Sequence, residues 1–516
     1  MKVTLISPYE NVTVNGIRML SAVLKTMGVE CQTVMLPHEI KGVSSRGAGF
    51  RFSYSESALD QVAKVVQGSD LVGLSLMSNY FDNAVQITQH LRRSTHAPII
   101  WGGVHPTVRP EECLEHADLI CVGEGEEALR ELVQQMNNGN GYAEIRNIWY
   151  KRNCEIVRTP LRPLASDLDS YPYPDYDLSA EFVLHQGRLQ PMSKDLLFYH
   201  IRRNFPPQSL LTYPIFLSRG CHYRCAYCAN NFLGKIYGRE WRVRRRGVSN
   251  FLGELKQIRS CFPEIQRIHI NDELFVDDVK MVREFCSSYK QANGIPFSIS
   301  GFHPEIVDEE KIRLLVDAGL VDAQVGIQTG SMRVMHQVYH RACTQKHITQ
   351  TFEVLHKFTD RIIPRYHLIL DNPWETEEDQ IETLRMMLRL RRPYRLALFS
   401  LVFYPGTELH ERARREGLVT NDLTQVYRKF YHELKRTYVN GLFRLFQSPY
   451  APYWLIALLM SAPLRRLNWV WLPERVYRMC SLLGRVGQGA RRLLRGDWSP
   501  ARNAFRKTFG RAKACA

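Results

Sequence analysis

No apolar run in this chain reaches the roughly 20 residues that a membrane-spanning helix needs. The longest candidate, PYWLIALLMSAP (452–463), is too short. The chain opens on the strand-like MKVTLISPY, without a basic segment followed by an apolar one, so no secretory leader and a cytoplasmic location are expected. Cysteine is sparse, 12 in 516 residues, and only three stand close together. Without an export signal they read as reduced thiols, some of them metal ligands, and not as a disulfide framework. No internal repeat or low-complexity tract appears. The net charge of +16 is absent from most of the chain: residues 441–516 hold 14 Lys and Arg against Glu474 and Asp497, which leaves only +4 for everything before them. No motif with stacking aromatics accompanies that basic tail, so no nucleic-acid partner is expected.

What is present is the composition of a globular chain, 45% hydrophobic and 23% charged, at a length that implies two or three domains. Residues 1–140 alternate strand-like runs (VTLIS, CQTVML, DLVGLSLMS, APIIWGG, ADLICVGEG) with helical patterns, which predicts a doubly wound parallel sheet. Residues 141–205 read as a linker with one small hairpin, IRNIWYKRNCEIVRT, and a Pro/Tyr-rich stretch. Residues 206–420 alternate again, with strands at YPIFLS, RIHIND, FSISGF, DAQVGIQ, RYHLIL and ALFSLVFY. Six such units predict a partial (β/α)6 barrel with its active site at the C-terminal strand ends. Residues 421–516 form a basic, mostly helical C-terminal region, so the whole is an α/β chain with a helical tail.

The first barrel strand runs directly into LSRGCHYRCAYCANN, which places Cys221, Cys225 and Cys228 in a C-x3-C-x2-C spacing. Three thiolates on one tight loop can each hold one iron of a cubane and leave the fourth iron open for chemistry. Structural zinc asks for four ligands, usually two separated pairs, and no second CxxC exists. Zinc and three unrelated thiols stay as the bland alternatives. The spacing, with Tyr227 before the third cysteine, resembles the signature of the radical S-adenosylmethionine (SAM) superfamily, and INDELFVDD, GIQTGSMRV, LDNPWETEED and FYPGTELHE resemble its segments at successive strand ends. The resemblance implies a [4Fe–4S] cluster on the triplet, with SAM on the open iron cleaved reductively to a 5′-deoxyadenosyl radical. It also implies Tyr227, Asp272, Glu273, Gln328 and Ser331 around SAM. Asp272 reads equally as a helix N-cap and Ser331 as a turn residue.

Three loops at strand ends of the first domain stand out: Ser75, Leu76, Met77, Ser78 and Asn79; Gly102 and Gly103; Gly123 and Gly125. The glycines allow close backbone approach to a ligand, although glycines after strands also serve as plain turns. Upstream of such a barrel, this domain resembles the Rossmann-like cobalamin-binding domain of cobalamin-dependent radical SAM enzymes, which implies that these loops flank a bound cobalamin. The chain departs from many such domains in one respect. PYENVTVNGIR follows the first strand where an Asp-x-His-x-x-Gly motif would supply a lower cobalt ligand.

The tail carries a helical stripe (Val476, Met479, Leu483, Val486, Ala490, Leu494) among Arg475, Arg478, Arg485, Arg492 and Arg495, with Trp469 and Trp471 upstream. It reads either as an amphipathic helix on the inner face of a membrane or as a helix that packs over the barrel. The resemblance as a whole implies methylation of an unactivated carbon in a small-molecule or lipid substrate, with a flavodoxin or ferredoxin as electron donor. The alternatives are an oxidative cyclase like the anaerobic porphyrin cyclases, and a noncatalytic cobalamin or redox sensor.

Overall fold

The computed structural model describes residues 1–37, 52–204, 210–292 and 294–494. Its first sheet has nine strands. β1 (Lys2–Ser7), β2 (Glu30–Met35), β3 (Leu71–Ser75), β4 (Ile99–Gly102) and β5 (Leu119–Cys121) form the parallel centre, in the order β5-β4-β3-β1-β2. Their side chains are buried on both faces, which is why each reads in sequence as a continuous apolar run and not as an alternating one.

The residues assigned to a linker are built into this sheet, a correction to the expected domain layout. β6 (Ile148–Arg152) and β7 (Glu155–Val157) form the expected hairpin and extend one edge antiparallel to β5. β8 (Glu181–His185) and β9 (Arg188–Pro191) form an unexpected second hairpin on the other edge, with β8 parallel to β2. A buried ion pair holds it there: the Arg18 guanidinium donates to both Glu181 oxygens at 2.8 and 3.0 Å and to the carbonyls of Val12 and Asp175, under the ring of Tyr176. Removing one partner of such a pair costs about 3–5 kcal/mol. The Pro/Tyr-rich stretch is therefore packed structure.

The second sheet is all parallel. β10 (Thr212–Ile215) runs into a two-residue antiparallel pair, β11 (Ser218–Arg219) with β12 (Arg244–Arg245). β13 (Arg267–Ile270), β14 (Phe297–Phe302), β15 (Leu320–Gln328), β16 (Ile363–Leu370) and β17 (Arg395–Ser400) complete it in sequence order. This is the expected six-stranded open barrel. One hydrophobic core runs without a break from Val3 in the first domain to Cys480 in the tail.

Beyond the barrel, helix Tyr438–Gln447 buries Leu442, Phe443, Leu445 and Phe446 against β17 and helix Glu377–Met387, closing the open side. Helix Trp471–Leu494 packs on it through Leu472, Val476 and Cys480. Of the expected tail stripe, Val476 packs inward, whereas Met479, Leu483 and Val486 face solvent. Arg495 and the side chains of Arg485, Ala490, Arg492 and Leu494 lie outside what is described. No described helix is long and apolar enough to cross a membrane.

Candidate active site between the two sheets

The cysteine loop is held from several directions. Gly220 precedes Cys221 with φ +92°, and a Cβ there would meet the Arg242 carbonyl oxygen at 2.5 Å, so both the conformation and the contact require glycine. The Trp241 indole donates to the Cys221 carbonyl at 2.8 Å, the Ala226 N–H donates to the Tyr339 carbonyl, and the Leu409 N–H donates to the Ala226 carbonyl. Cys221 and Cys225 are buried and Cys228 is half-buried. Burial pushes the Cys221 and Cys228 thiols up to about 12. Such thiols become thiolates only beside strong positive charge, which iron supplies. Among the described residues, no three His, Cys, Asp or Glu side chains gather tightly enough for a single ion. A cubane takes one thiolate on each of three irons and spans a wider triangle.

The residues expected around SAM divide into two groups. Glu273 borders the cavity beside the cysteines, bonds to Asn230, and is raised mainly by burial. Tyr227 sits in the loop with its hydroxyl on Cys225 and its ring edge-on to Tyr339 at 5.1 Å. Gln328 ends β15 with φ +73°, and a Cβ on Gly326 would come within 2.7 Å of its amide, so the glycine makes room for that side chain. Asp272 and Ser331 are engaged by the protein itself. The Asp272 carboxylate accepts the N–H groups of Leu217 and Ser218 at 2.9–3.1 Å, joining the ends of β10 and β13. It is neither an N-cap nor directed at the cavity. Ser331 is buried and donates to Asp379 at 2.6 Å, in a network with Arg333 and Thr376.

In the first domain, a cavity of about 430 Å³ opens at the C-terminal ends of β1, β3, β4 and β5. Leu5, Gly73, Ile100 and Cys121 form its floor, Gly16, Ile17 and Leu20 one wall, and Gly125, Glu126 and Leu129 the other. Of the loop residues singled out in the sequence, Ser75, Gly102, Gly103, Gly123 and Gly125 line it. Leu76 and Ser78 do not. Leu76 is buried, its N–H donating to the Gly102 carbonyl, and Ser78 is buried against His105. Met77 is exposed and Asn79 half-buried, and neither lines the cavity. A Cβ at Gly102 would touch only Cys121, at 3.6 Å, so no protein atom demands glycine there. Gly103 differs: φ is +99° and the Leu76 carbonyl oxygen lies 2.8 Å from a built Cβ. His105 is unsuited to ligate cobalt from this space, because it is buried between Phe81 and Tyr427 with Nδ1 on Ser78, and burial lowers it to about 3. An apolar slot with glycine rims fits the ring-bearing tail of a cobalamin. No imidazole is among its described lining residues.

The same cavity continues to the barrel, where Phe216, Ser218, Arg219, Gly220, Asn230 and Glu273 complete it. Sequence reading missed what joins the halves. Arg219 donates to Glu126 at 2.6 Å, and Arg244 donates to Glu124 at 2.6 and 3.0 Å. The Gly123 loop was read for its glycines, when the acids between them carry the domain contact. Arg341 was also missed. It is buried beside Cys225 and Tyr227, and its guanidinium donates to the Gly326 and Ile327 carbonyls and meets His303, whose ring stacks on Tyr223 at 4.2 Å.

Comparison with known proteins follows these two halves. The B12 binding domain family matches residues 1–133, and the Radical SAM superfamily matches residues 215–387. The chain is a cobalamin-dependent radical SAM enzyme. Its cofactors are accordingly cobalamin, SAM and a [4Fe–4S] cluster. Among its relatives, an uncharacterised methyltransferase of Pyrococcus horikoshii is 24% identical over 76% of this chain and 78% of its own. Bacteriochlorophyllide d C-8(2)-methyltransferase of Chlorobaculum tepidum is 21% identical over 71% and 73%. The fold is similar to that of the radical SAM methyltransferase TsrM from Kitasatospora setae, with TM-score 0.62 and 17% identity, covering 80% of this chain and 76% of that one.

Proposed function

We propose that this enzyme transfers a methyl group to an unactivated carbon of a small-molecule or lipid substrate. The observation that carries the reading is the shared cavity: the glycine rims of the first domain and the cysteine-loop residues of the barrel line one space, so groups held by each face the same volume. The methyltransferase names of both relatives support it. When bound, cobalamin supplies a transferable methyl group, and SAM on the cluster supplies the means to remove a hydrogen from carbon.

The chain's own residues bind, orient and exclude water. Cys221, Cys225 and Cys228 hold the cluster, with the loop fixed by Trp241 and Tyr339. Glu273, kept in place by Asn230, is the carboxylate proposed for the SAM amino group, and Tyr227 and Gln328 are proposed as further contacts of SAM. Ser75, Gly102, Gly103 and Gly125 are proposed to border the cobalamin tail. The external reductant is proposed to be a flavodoxin or ferredoxin.

The test needs no substrate. Protein loaded with cluster and cobalamin is incubated with reductant and SAM labelled in its methyl group. Label should pass to the bound cobalamin with release of S-adenosylhomocysteine. Cleavage of SAM to 5′-deoxyadenosine with no label on cobalamin would favour a cyclase-type reaction. Neither product would favour a sensor.

A further inference from the structure

Among the described residues, sixteen large apolar side chains are exposed, and ten of them fall within residues 454–486. Trp454 is 69% exposed, and Leu482 and Leu483 are 58% and 63% exposed. A single exposed leucine needs no explanation, but a concentration of this kind marks a binding surface. Helix Trp471–Leu494 uses Leu472, Val476 and Cys480 to pack on the barrel side. Its Trp471, Met479, Leu482 and Val486, at helical spacing, stay open to solvent. At the helix entrance Trp469 and Trp471 stack at 5.6 Å, and the Arg475 guanidinium lies over the Trp471 ring at 4.8 Å.

Charge decides what covers this face. Residues 454–486 carry five arginines, Arg465, Arg466, Arg475, Arg478 and Arg485, against one acid, Glu474. That acid is already paired with Arg444 and Arg478, and Arg465 pairs with Glu377, which leaves Arg466 and Arg475 among the described cations without an acidic partner. A second copy docking through the same face would bring two strongly basic tails together, whereas an anionic surface would be drawn to it. Exposed tryptophans beside arginines, on a helix too polar to cross a bilayer, match the polarity gradient of a membrane interface. We propose that residues 454–486 are a peripheral docking surface for anionic lipid, with the tryptophans and leucines entering the headgroup boundary and the arginines on the phosphates. The proposal is independent of the chemistry assigned to the cavity.

The experiment uses the full chain in vesicle sedimentation, with phosphatidylcholine alone and with phosphatidylcholine plus phosphatidylglycerol. Binding should require the anionic lipid. It should weaken by about tenfold or more between about 0.1 M and about 1 M salt, where the screening length falls from about 10 Å to about 3 Å. The double variant Leu482→Ser with Leu483→Ser alters only exposed side chains, so its thermal unfolding should match wild type while vesicle binding is lost. Size-exclusion chromatography over a concentration series runs alongside. No vesicle binding, binding indifferent to lipid charge, or binding retained by the double variant would overturn the proposal. So would a dimer that this variant dissolves in the absence of lipid.

Discussion

Asp272 separates a scaffold role from a cofactor role. Its side chain is 3% exposed, and its two oxygens accept the N–H groups of Leu217 and Ser218, themselves buried. Asp272→Ala leaves both donors without a partner in a place water does not reach. At about 1–3 kcal/mol for each buried unsatisfied group, the loss is about 2–6 kcal/mol. Asp272→Asn keeps one oxygen for the same donors and should cost about 1 kcal/mol. The two variants also differ from wild type in pH response. Burial, reinforced by Glu273 and opposed by the two N–H groups, raises the carboxyl from 3.8 to about 7. A raised folded-state value means the folded chain holds a proton that the unfolded chain releases. The stabilisation is complete below pH 4 and is lost as pH rises through about 7. Each pH unit in that interval is worth about 1.4 kcal/mol, or about 4 kcal/mol across it.

Urea unfolding of the cofactor-free protein, followed by circular dichroism from pH 5 to pH 8, measures both effects. Wild type should lose stability with rising pH, Asp272→Asn should flatten the slope, and Asp272→Ala should be destabilised throughout. Iron content after anaerobic reconstitution should fall in Asp272→Ala, because Ser218 leads directly into the cysteine loop. The reasoning fails if Asp272→Ala unfolds like wild type and instead weakens SAM binding alone, since the carboxylate would then face the cofactor.

Replacing Cys221, Cys225 or Cys228 by Ala should each abolish the cluster absorbance, whereas Cys261→Ala and Cys286→Ala should not; equal iron content in all five variants would remove the triplet from the site. Gly102→Val should fold, because only Cys121 lies near the new Cβ, yet should weaken cobalamin binding in equilibrium dialysis by about tenfold or more, the equivalent of an overpacking cost of about 1–3 kcal/mol. Glu126→Gln should loosen the domain contact. Burial alone would raise the Glu126 carboxyl, but Arg219 and Arg244 outweigh it and hold it below the usual carboxylate range, so this contact contributes above the unfolded-state value and fades as pH falls. Limited proteolysis should show faster cleavage between the domains in the variant at neutral pH, and wild type should approach it in acid.

The strands of both sheets were legible because parallel strands buried on two faces leave uninterrupted apolar runs, and the cysteine triplet because its spacing is local. The hairpin at β8 and β9 was not. What makes it part of the sheet is the pairing of Glu181 with Arg18, 163 positions away, and nothing near PYPDYDL in the sequence announces that partner. Asp272 and Glu273 show the same limit at close range. Both follow β13, and the chain turns one carboxylate back on the backbone of Leu217 and Ser218 and the other toward the cysteines. Two adjacent acids in a sequence do not say which is which.

The glycine loops carry the wider lesson. A glycine reports that something comes close to the backbone, and the sequence supplied a cofactor as the something. At Gly123, with φ +90°, a built Cβ would lie 2.0 Å from the Tyr237 hydroxyl, so the close neighbour is a barrel side chain. At Gly102 no protein atom crowds the position, which leaves the cavity itself as the reason for the missing side chain. Between these two uses sits the coupling of the enzyme. The Gly123–Glu127 loop rims the cavity, and through Glu124 and Glu126 it grips Arg244 and Arg219, the two strands of the arm that delivers the chain into Cys221. A shift of this loop pulls on the arm before Cys221 through two ion pairs, each with one buried partner, Arg244 in one and Glu126 in the other. Packed side chains and ion pairs of that kind pass on displacement instead of absorbing it. The two domains thus brace one another's loops as well as enclosing a common space.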